Sequence, residues 1–253
     1  MSKLWKQNIL MIVYLAAFKA IENFYRESTK DVWLLSSFYE HKSGKFGDYV
    51  YQDKHILDSG AFSTFKNPEK AKTYDWDGYV KNYIQFIKET KQKLFFEIDI
   101  DCVVGLEKVE YYRKQIEDGT GLRPIPVWHS NRRWHYFEKM CDEYPYVAIG
   151  GLVGNRYVVT NAPVLKKFIN YAHKRKVKIH ALGYTFTTLL DELDFDSVDS
   201  TTWLSGGRYG QIHVFNGKNI VGNKPPKGKR AINYKITHIH NFNEWIKYQK
   251  YKL

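Results

Sequence analysis

Cysteine is nearly absent from this chain of 253 residues, and its two thiols, Cys102 and Cys141, cannot build a disulfide framework. No cysteine pair stands at metal-ligand spacing, so a zinc subdomain is excluded. Long apolar runs are also missing. The longest, Ile9 to Phe18, has ten residues and is too short to span a bilayer. It follows Lys3 and Lys6 and so resembles a signal peptide, but it lacks a small-x-small cleavage site and continues into an amphipathic pattern at Ile21 to Tyr25. A buried first strand and a cytoplasmic, reducing location are therefore expected. There is no internal repeat and no low-complexity segment. Acidic charge is the remaining shortage: 27 Asp and Glu face 39 Lys and Arg, a net charge of +12. That excess favours an anionic partner, with nucleic acid ranked before a membrane surface and no membrane partner carried forward. A solvating role for the lysines is the plain alternative.

What is present is core-forming material, 43% hydrophobic and 17% aromatic, which excludes disorder. Eight short apolar runs recur: Ile9–Leu15, Val32–Leu35, His55–Leu57, Leu94–Ile100, Pro124–Trp128, Tyr146–Ile149, Val177–Leu182 and Phe195–Val198. Most are continuous, as strands buried on both faces of a parallel sheet require. Helical patterns lie between them at Asp75–Thr90, Glu107–Glu117, Arg132–Glu143, Ala162–Lys174 and Thr185–Leu193, and a last one at Asn243–Tyr251 could close the ring. Eight β/α units in one domain, 1–253, predict a compact (β/α)8 TIM-type barrel, with a doubly wound open sheet as the alternative. Tyr39 to Lys54 has little helical periodicity, so one crossover helix is expected to be missing or replaced by a loop. Asn216 to Arg230, rich in Gly, Lys and Pro, reads as a mobile basic loop, 216–230.

Chemistry in such a barrel sits at the C-terminal strand ends. There the sequence places Asp58-Ser59-Gly60-Ala61-Phe62, Glu97-Ile98-Asp99-Ile100-Asp101, Trp128-His129, Gly150-Gly151-Leu152, Leu182-Gly183-Tyr184 and Asp196-Ser197-Val198-Asp199. Alternation predicts Glu97, Asp99 and Asp101 on one face of a strand. Three acids together are tolerable only around a polar site or when paired with Lys or Arg. Helix capping is the structural reading for any one of them.

The blocks Asp58-Ser59-Gly60-Ala61-Phe62, Ile149-Gly150-Gly151-Leu152 and Asp196-Ser197-Val198-Asp199, in this order, resemble the signature blocks of the tRNA-guanine transglycosylase superfamily. The resemblance runs in patches from about Leu57 to Gly210. Two departures stand out: no Cys-x-Cys-x-x-Cys zinc cluster is present, and Trp128-His129 stands where the tRNA enzymes carry Gln. With Asp199-Ser200-Thr201-Thr202-Trp203, the chain looks closer to the zinc-free DNA-guanine transglycosylases of phages and bacterial DNA-modification clusters.

That resemblance implies replacement of guanine in DNA by a 7-deazaguanine, with Asp199 as nucleophile at the sugar C1′ and Asp58 as general acid/base. It implies a base pocket in which Asp99, or Asp101 two residues on, accepts from the guanine edge. Gly150, Gly151 and Leu152 would offer backbone N–H groups, and His129 and Gly183 further contacts. Phe62, Tyr184 or Trp203 would stack on the ring. Arg208, Lys224, Lys227, Lys229 and Arg230 would meet the phosphate backbone. No metal and no organic cofactor is required, and the chain could act as a homodimer. The same chemistry on tRNA, a non-catalytic nucleic-acid or 7-deazaguanine binding barrel, and a sugar hydrolase with paired carboxylates are the rival readings. His238-Ile239-His240 puts two imidazoles on one face of a strand, without a third metal ligand. Ser205-Gly206-Gly207-Arg208 lacks the Lys-Ser/Thr of a P-loop.

Overall fold

A computed structural model describes residues 10–41, 47–64, 68–151, 161–184, 186–224 and 233–253. Seven strands form one parallel, curled sheet: β1 (Ile12–Ala16), β2 (Leu34–Ser37), β3 (His55–Asp58), β4 (Val127–Trp128), β5 (Tyr146–Ile149), β6 (Lys178–Ala181) and β7 (Ser197–Ser200), in the order 3-2-1-7-6-5-4. The apolar run that resembled a signal peptide supplies β1, paired on both sides by β2 and β7 near the centre of the sheet. Each strand is buried because its two faces meet different neighbours. Val13, Leu15, Val147, Ile149, Ile179 and Val198 pack outward against helices. Tyr14, Leu35, Ile56, Phe96, Val127 and Ala148 meet on the inner face.

The outer layer holds the long helices α1 (Trp76–Glu89), α2 (Leu106–Thr120), α3 (Arg133–Glu143), α4 (Ala162–Lys174) and α5 (Tyr234–Lys252). Their starts follow local chemistry: the side chains of Asp75, Asn161 and Asn233 accept from backbone N–H groups of the first turns of α1, α4 and α5. Helix α5 is stitched to the sheet, with Gln249 Nε2 donating to Val13 O and the Met11 N–H to Lys252 O. Among the described residues no helix is long and apolar enough to cross a membrane.

The ring of strands departs from the expected closed eight-stranded barrel. Leu94–Ile100 forms no regular strand and contributes two isolated parallel bridges, Leu57↔Phe95 and Phe96↔Ile125, which touch both edges of the sheet. The reason is Glu97. Its Oε1 takes the Val127 N–H at 2.8 Å, a donor that a ladder would otherwise use. Alternation fails there as well: Phe96 packs on the inner face, whereas Ile98 joins Phe95 in the outer core. Glu97, Asp99 and Asp101 therefore do not share a face; Glu97 faces two arginines and Asp101 opens the short helix Asp101–Val104.

Three further expectations change. Residues 187–192 form turns rather than a helix, with 185 outside the described residues. His238 and His240 lie in α5, not in a strand, and so point away from one another. Part of the expected 216–230 loop is ordered: β8 (Ile212–Phe215) and β9 (Ile220–Asn223) form an antiparallel hairpin. It turns at Asn216, whose Oδ1 accepts from the Lys218 and Asn219 N–H groups, and at Gly217 with φ of 91°. Between Tyr39 and Lys54 the described residues carry the end of a four-residue helix, Phe38–His41, and a 3-10 turn, Asp48–Tyr51, in place of a long crossover helix.

Glu97 is fully buried and doubly paired. Arg113 Nε donates to Oε2 at 2.6 Å and Arg132 Nη1 to Oε1 at 2.7 Å. Burial works to raise its pKa, but the two guanidinium groups outweigh this and hold it below the usual carboxylate range. Removing the carboxylate would strand two buried cations. Glu97→Ala is expected to cost about 3–5 kcal/mol in urea unfolding, far more than the loss of an exposed pair such as Lys93–Asp53. A loss near that of the exposed pair would mean that the network does not hold the fold.

Candidate active site

The parallel register brings the C-terminal ends of the strands to one mouth, where Ser37 is level with Asp58 and Tyr14 with Asp199. Asp58 ends β3 and is half-buried. Its Oδ2 accepts the Gly60 N–H at 2.9 Å, a local turn that fixes the carboxyl direction. Gly60 must be glycine: φ is +73°, and a Cβ would lie 2.6 Å from Tyr39 Cβ. Tyr79 holds the same turn from α1, its hydroxyl donating to Ser59 O at 2.6 Å.

Asp99 lies where the chain leaves the inner face, and His129 Nε2 bonds its Oδ2 at 2.9 Å. The imidazole stands against Gly150, where any Cβ would be 2.5 Å from His129 Cε1. Asp199 is buried, and its Oδ1 takes two donors, the Gly183 N–H at 2.7 Å and His180 Nε2 at 3.2 Å. Its Oδ2 has no hydrogen-bond partner among the described residues.

Asp58 feels the charges of both Asp99 and Asp199. The Asp58 pKa is pushed up to about 7, first by burial, then by the charge on Asp99, with Asp199 adding to it and the Gly60 N–H opposing. One acid of the group thus holds a proton near neutral pH, while Asp99 and Asp199 are each met by an imidazole. A protonated acid, an anchored carboxylate and a histidine-bonded carboxylate at one mouth are the parts for acid/base and nucleophilic work at a single centre.

The other candidates are placed as follows. Both Asp101 oxygens are engaged, Oδ1 by Arg132 at 3.1 Å and Oδ2 by Asn131 at 2.7 Å, so it belongs with the Glu97 network. The Gly150 N–H is spent on Trp128 O at 2.8 Å and that of Gly183 on Asp199, whereas Gly151 is exposed at the mouth with φ of 69°. Tyr184 and Trp203 are core residues rather than stacking platforms. Tyr184 packs beside Phe195, and fully buried Trp203 donates its indole N–H to Ala16 O and meets Phe242 edge-on. Phe62 lies in the short helix Ala61–Thr64 and Arg208 in Ser205–Tyr209. Lys224 is exposed just after β9. Leu152, Lys227, Lys229 and Arg230 lie outside the described residues.

Three residues of the site escaped the sequence reading: His180, Ser197 and Tyr146. His180 and Ser197 stand opposite each other in register on β6 and β7, and all three side chains are linked by hydrogen bonds beneath Asp199. The signal was there in period two, since Ser197 and Asp199 alternate on one strand and His180 is the one ring in Ile179-His180-Ala181.

Models of known protein families give no match to this chain, and a search of curated proteins also gives none.

The raised pKa has a stability consequence. Between the ordinary value of 3.8 and about 7 the folded state binds a proton that the unfolded state has released, so stability falls as pH rises through that window. Asp58→Asn removes the penalty and should be more stable than the parent at pH 8, by up to about 4 kcal/mol, with the advantage vanishing below about pH 4. Unfolding midpoints measured across pH check this; parallel curves for the two proteins would mean that Asp58 titrates normally.

Proposed function

We propose that the chain is a base-exchange transglycosylase of the guanine transglycosylase type, acting on DNA in preference to RNA. The observation that carries the reading is the meeting of Asp58 and Asp199 from separate strand ends with Asp99 from the segment between the sheet edges, one carrying a proton near neutral pH and one anchored by a single oxygen. The isolated bridges at Phe95 and Phe96, touching both edges of the sheet, support the finer reading that the architecture is of (β/α)8 type with one degenerate stave.

Exchange without external energy needs the glycosidic bond energy to be kept in a covalent intermediate. In the first half-reaction Asp199 Oδ2 gives its electron pair to C1′, the C1′–N9 bond breaks onto guanine, and the departing base takes the proton of Asp58. In the second, Asp58 removes the N9 proton of the incoming 7-deazaguanine, N9 bonds to C1′, and the C1′–Oδ2 electrons return to Asp199. Atoms, charge and protons balance, so no oxidant, metal or nucleotide is consumed. Asp99, bonded to His129, accepts from the N1–H and amino edge of the base, and the exposed backbone at Gly151 lies close by to meet its O6. The net charge of +12 supplies the attraction to a polyanion, and Lys224 with the segment beyond it, Lys227, Lys229 and Arg230, is the proposed backbone contact together with Arg208. The absence of any Cys-x-Cys-x-x-Cys cluster favours DNA over tRNA as the substrate.

Incubation with radiolabelled guanine and either guanine-containing DNA or tRNA tests the reading. Label is expected to enter DNA, and a denaturation-resistant protein–DNA adduct to form. Asp199→Ala should abolish the adduct while leaving DNA binding nearly intact, and Asp58→Asn should slow exchange by on the order of 10² or more. An adduct surviving in Asp199→Ala would overturn the assignment of the nucleophile.

Binding should also weaken steeply with salt, log K falling linearly in log[salt] with a slope of roughly −0.9 for each phosphate contacted. Fluorescence anisotropy with a labelled oligonucleotide reads this directly, and a flat response would argue against a polyanionic substrate.

A further inference from the structure

We propose that Tyr146, Ser197 and His180 form a buried, one-way chain of hydrogen-bond donors that anchors Asp199 by Oδ1 and makes His180 the positioning residue for release of the glycosyl intermediate. The inference rests on the base-exchange reading for its kinetics, and on geometry alone for the chain itself.

The contacts run unbroken across three neighbouring strands. Tyr146 Oη lies 2.5 Å from Ser197 Oγ, Ser197 Oγ lies 2.5 Å from His180 Nδ1, and His180 Nε2 lies 3.2 Å from Asp199 Oδ1. His180 and Ser197 are fully buried, and the imidazole is wedged against Phe96 and Tyr14 with ring centroids 5.0 and 6.2 Å away. Direction follows from what each group can do. An ionised carboxylate only accepts, so Nε2 carries a proton. The proposed chain has a neutral ring, in which Nδ1 accepts, so that the Ser197 hydroxyl donates to it and takes the Tyr146 hydroxyl in turn. Burial pushes the Tyr146 phenol up, so the head of the chain keeps its proton. Every donor therefore points towards Asp199, and each bond polarises the next.

The consequence lies in the second half-reaction. While C1′ is attached to Oδ2, Oδ1 is the carbonyl oxygen of an ester and receives a neutral hydrogen bond. When the C1′–Oδ2 bond breaks, the returning electrons make Asp199 a carboxylate and the same bond becomes charge-assisted, roughly twice as strong. The Gly183 N–H acts in the same sense from the main chain, at 2.7 Å. His180 thus favours departure of the carboxylate more than its attack, although it touches neither base nor sugar.

Two side-chain amides separate this role from packing. In His180→Asn the amide stands near the Nδ1 position, facing Ser197, and falls short of Asp199. In His180→Gln it reaches the Nε2 position and still donates. The expected result is that His180→Asn slows exchange by about 10- to 100-fold while the fraction of protein trapped as DNA adduct rises, and that His180→Gln recovers most of the rate. Exchange within two-fold of the parent in His180→Asn, or exchange and adduct falling together, would overturn the role in release. Nitrogen-15 NMR of labelled histidine tests the chain without any substrate: His180 should be the Nε2–H tautomer with Nδ1 as acceptor, and the Nδ1–H tautomer would overturn the chain. If the tautomer is as expected but the parent protein forms no adduct with DNA or tRNA, base exchange and the release role both fail, and the chain stands only as the anchor of Asp199.

Discussion

The arrangement at the strand ends depends on one buried acid held by two buried arginines. Glu97 joins Arg113 from α2 to Arg132 from the turn before α3, and it takes a main-chain donor of β4. Pairs of this kind add little net stability, because the desolvation of three ions offsets most of their attraction, but they tolerate no alternative geometry. The segment Leu94–Glu97 is thereby fixed between the two edges of the sheet, and Arg132 is left facing Asp101. With Asp101 neutralised there, Asp99 is the acid of this loop that meets His129 at the mouth.

Asp58, pressed by burial and by the charges of Asp99 and Asp199, cannot be ionised at low cost in a partly desolvated mouth. The molecule resolves the conflict unevenly. Asp199 is held by His180 and the Gly183 main chain, Asp99 by His129, and Asp58, whose burial outweighs the support of its own turn and of Ser37, keeps a proton towards neutral pH. Two acids with different protonation states are what an acid-plus-nucleophile mechanism needs, and here the difference arises from neighbours rather than from residue type.

Much of this was legible in the sequence, for identifiable reasons. Continuous apolar runs such as Tyr146–Ile149 announce strands buried on both faces, and the Asp58-Ser59-Gly60 turn and Asp199 follow such runs directly. Helix α4 was bounded by its own cap, Asn161. What could not be read was set by partners distant in sequence. Glu97 breaks its strand because Arg113 and Arg132 are present, 16 and 35 residues away. Trp203 and Tyr184 were candidates by position, but an indole N–H that finds Ala16 O and a ring packed on Phe195 belong to the core. Period two marks His180 as the one ring in its strand, but only the register of β6 against β7 puts it between Ser197 and Asp199.

The most direct test of guanine replacement in DNA is made on the nucleic acids themselves. Nucleoside mass spectrometry of DNA and of tRNA, from cells carrying the gene and from cells in which it is deleted, separates the readings in one comparison. Base exchange on DNA requires a 7-deazaguanine deoxynucleoside in the DNA of the first cells and its loss from the second, with tRNA nucleosides unchanged. Identical DNA in the two, or a change confined to tRNA, would contradict it.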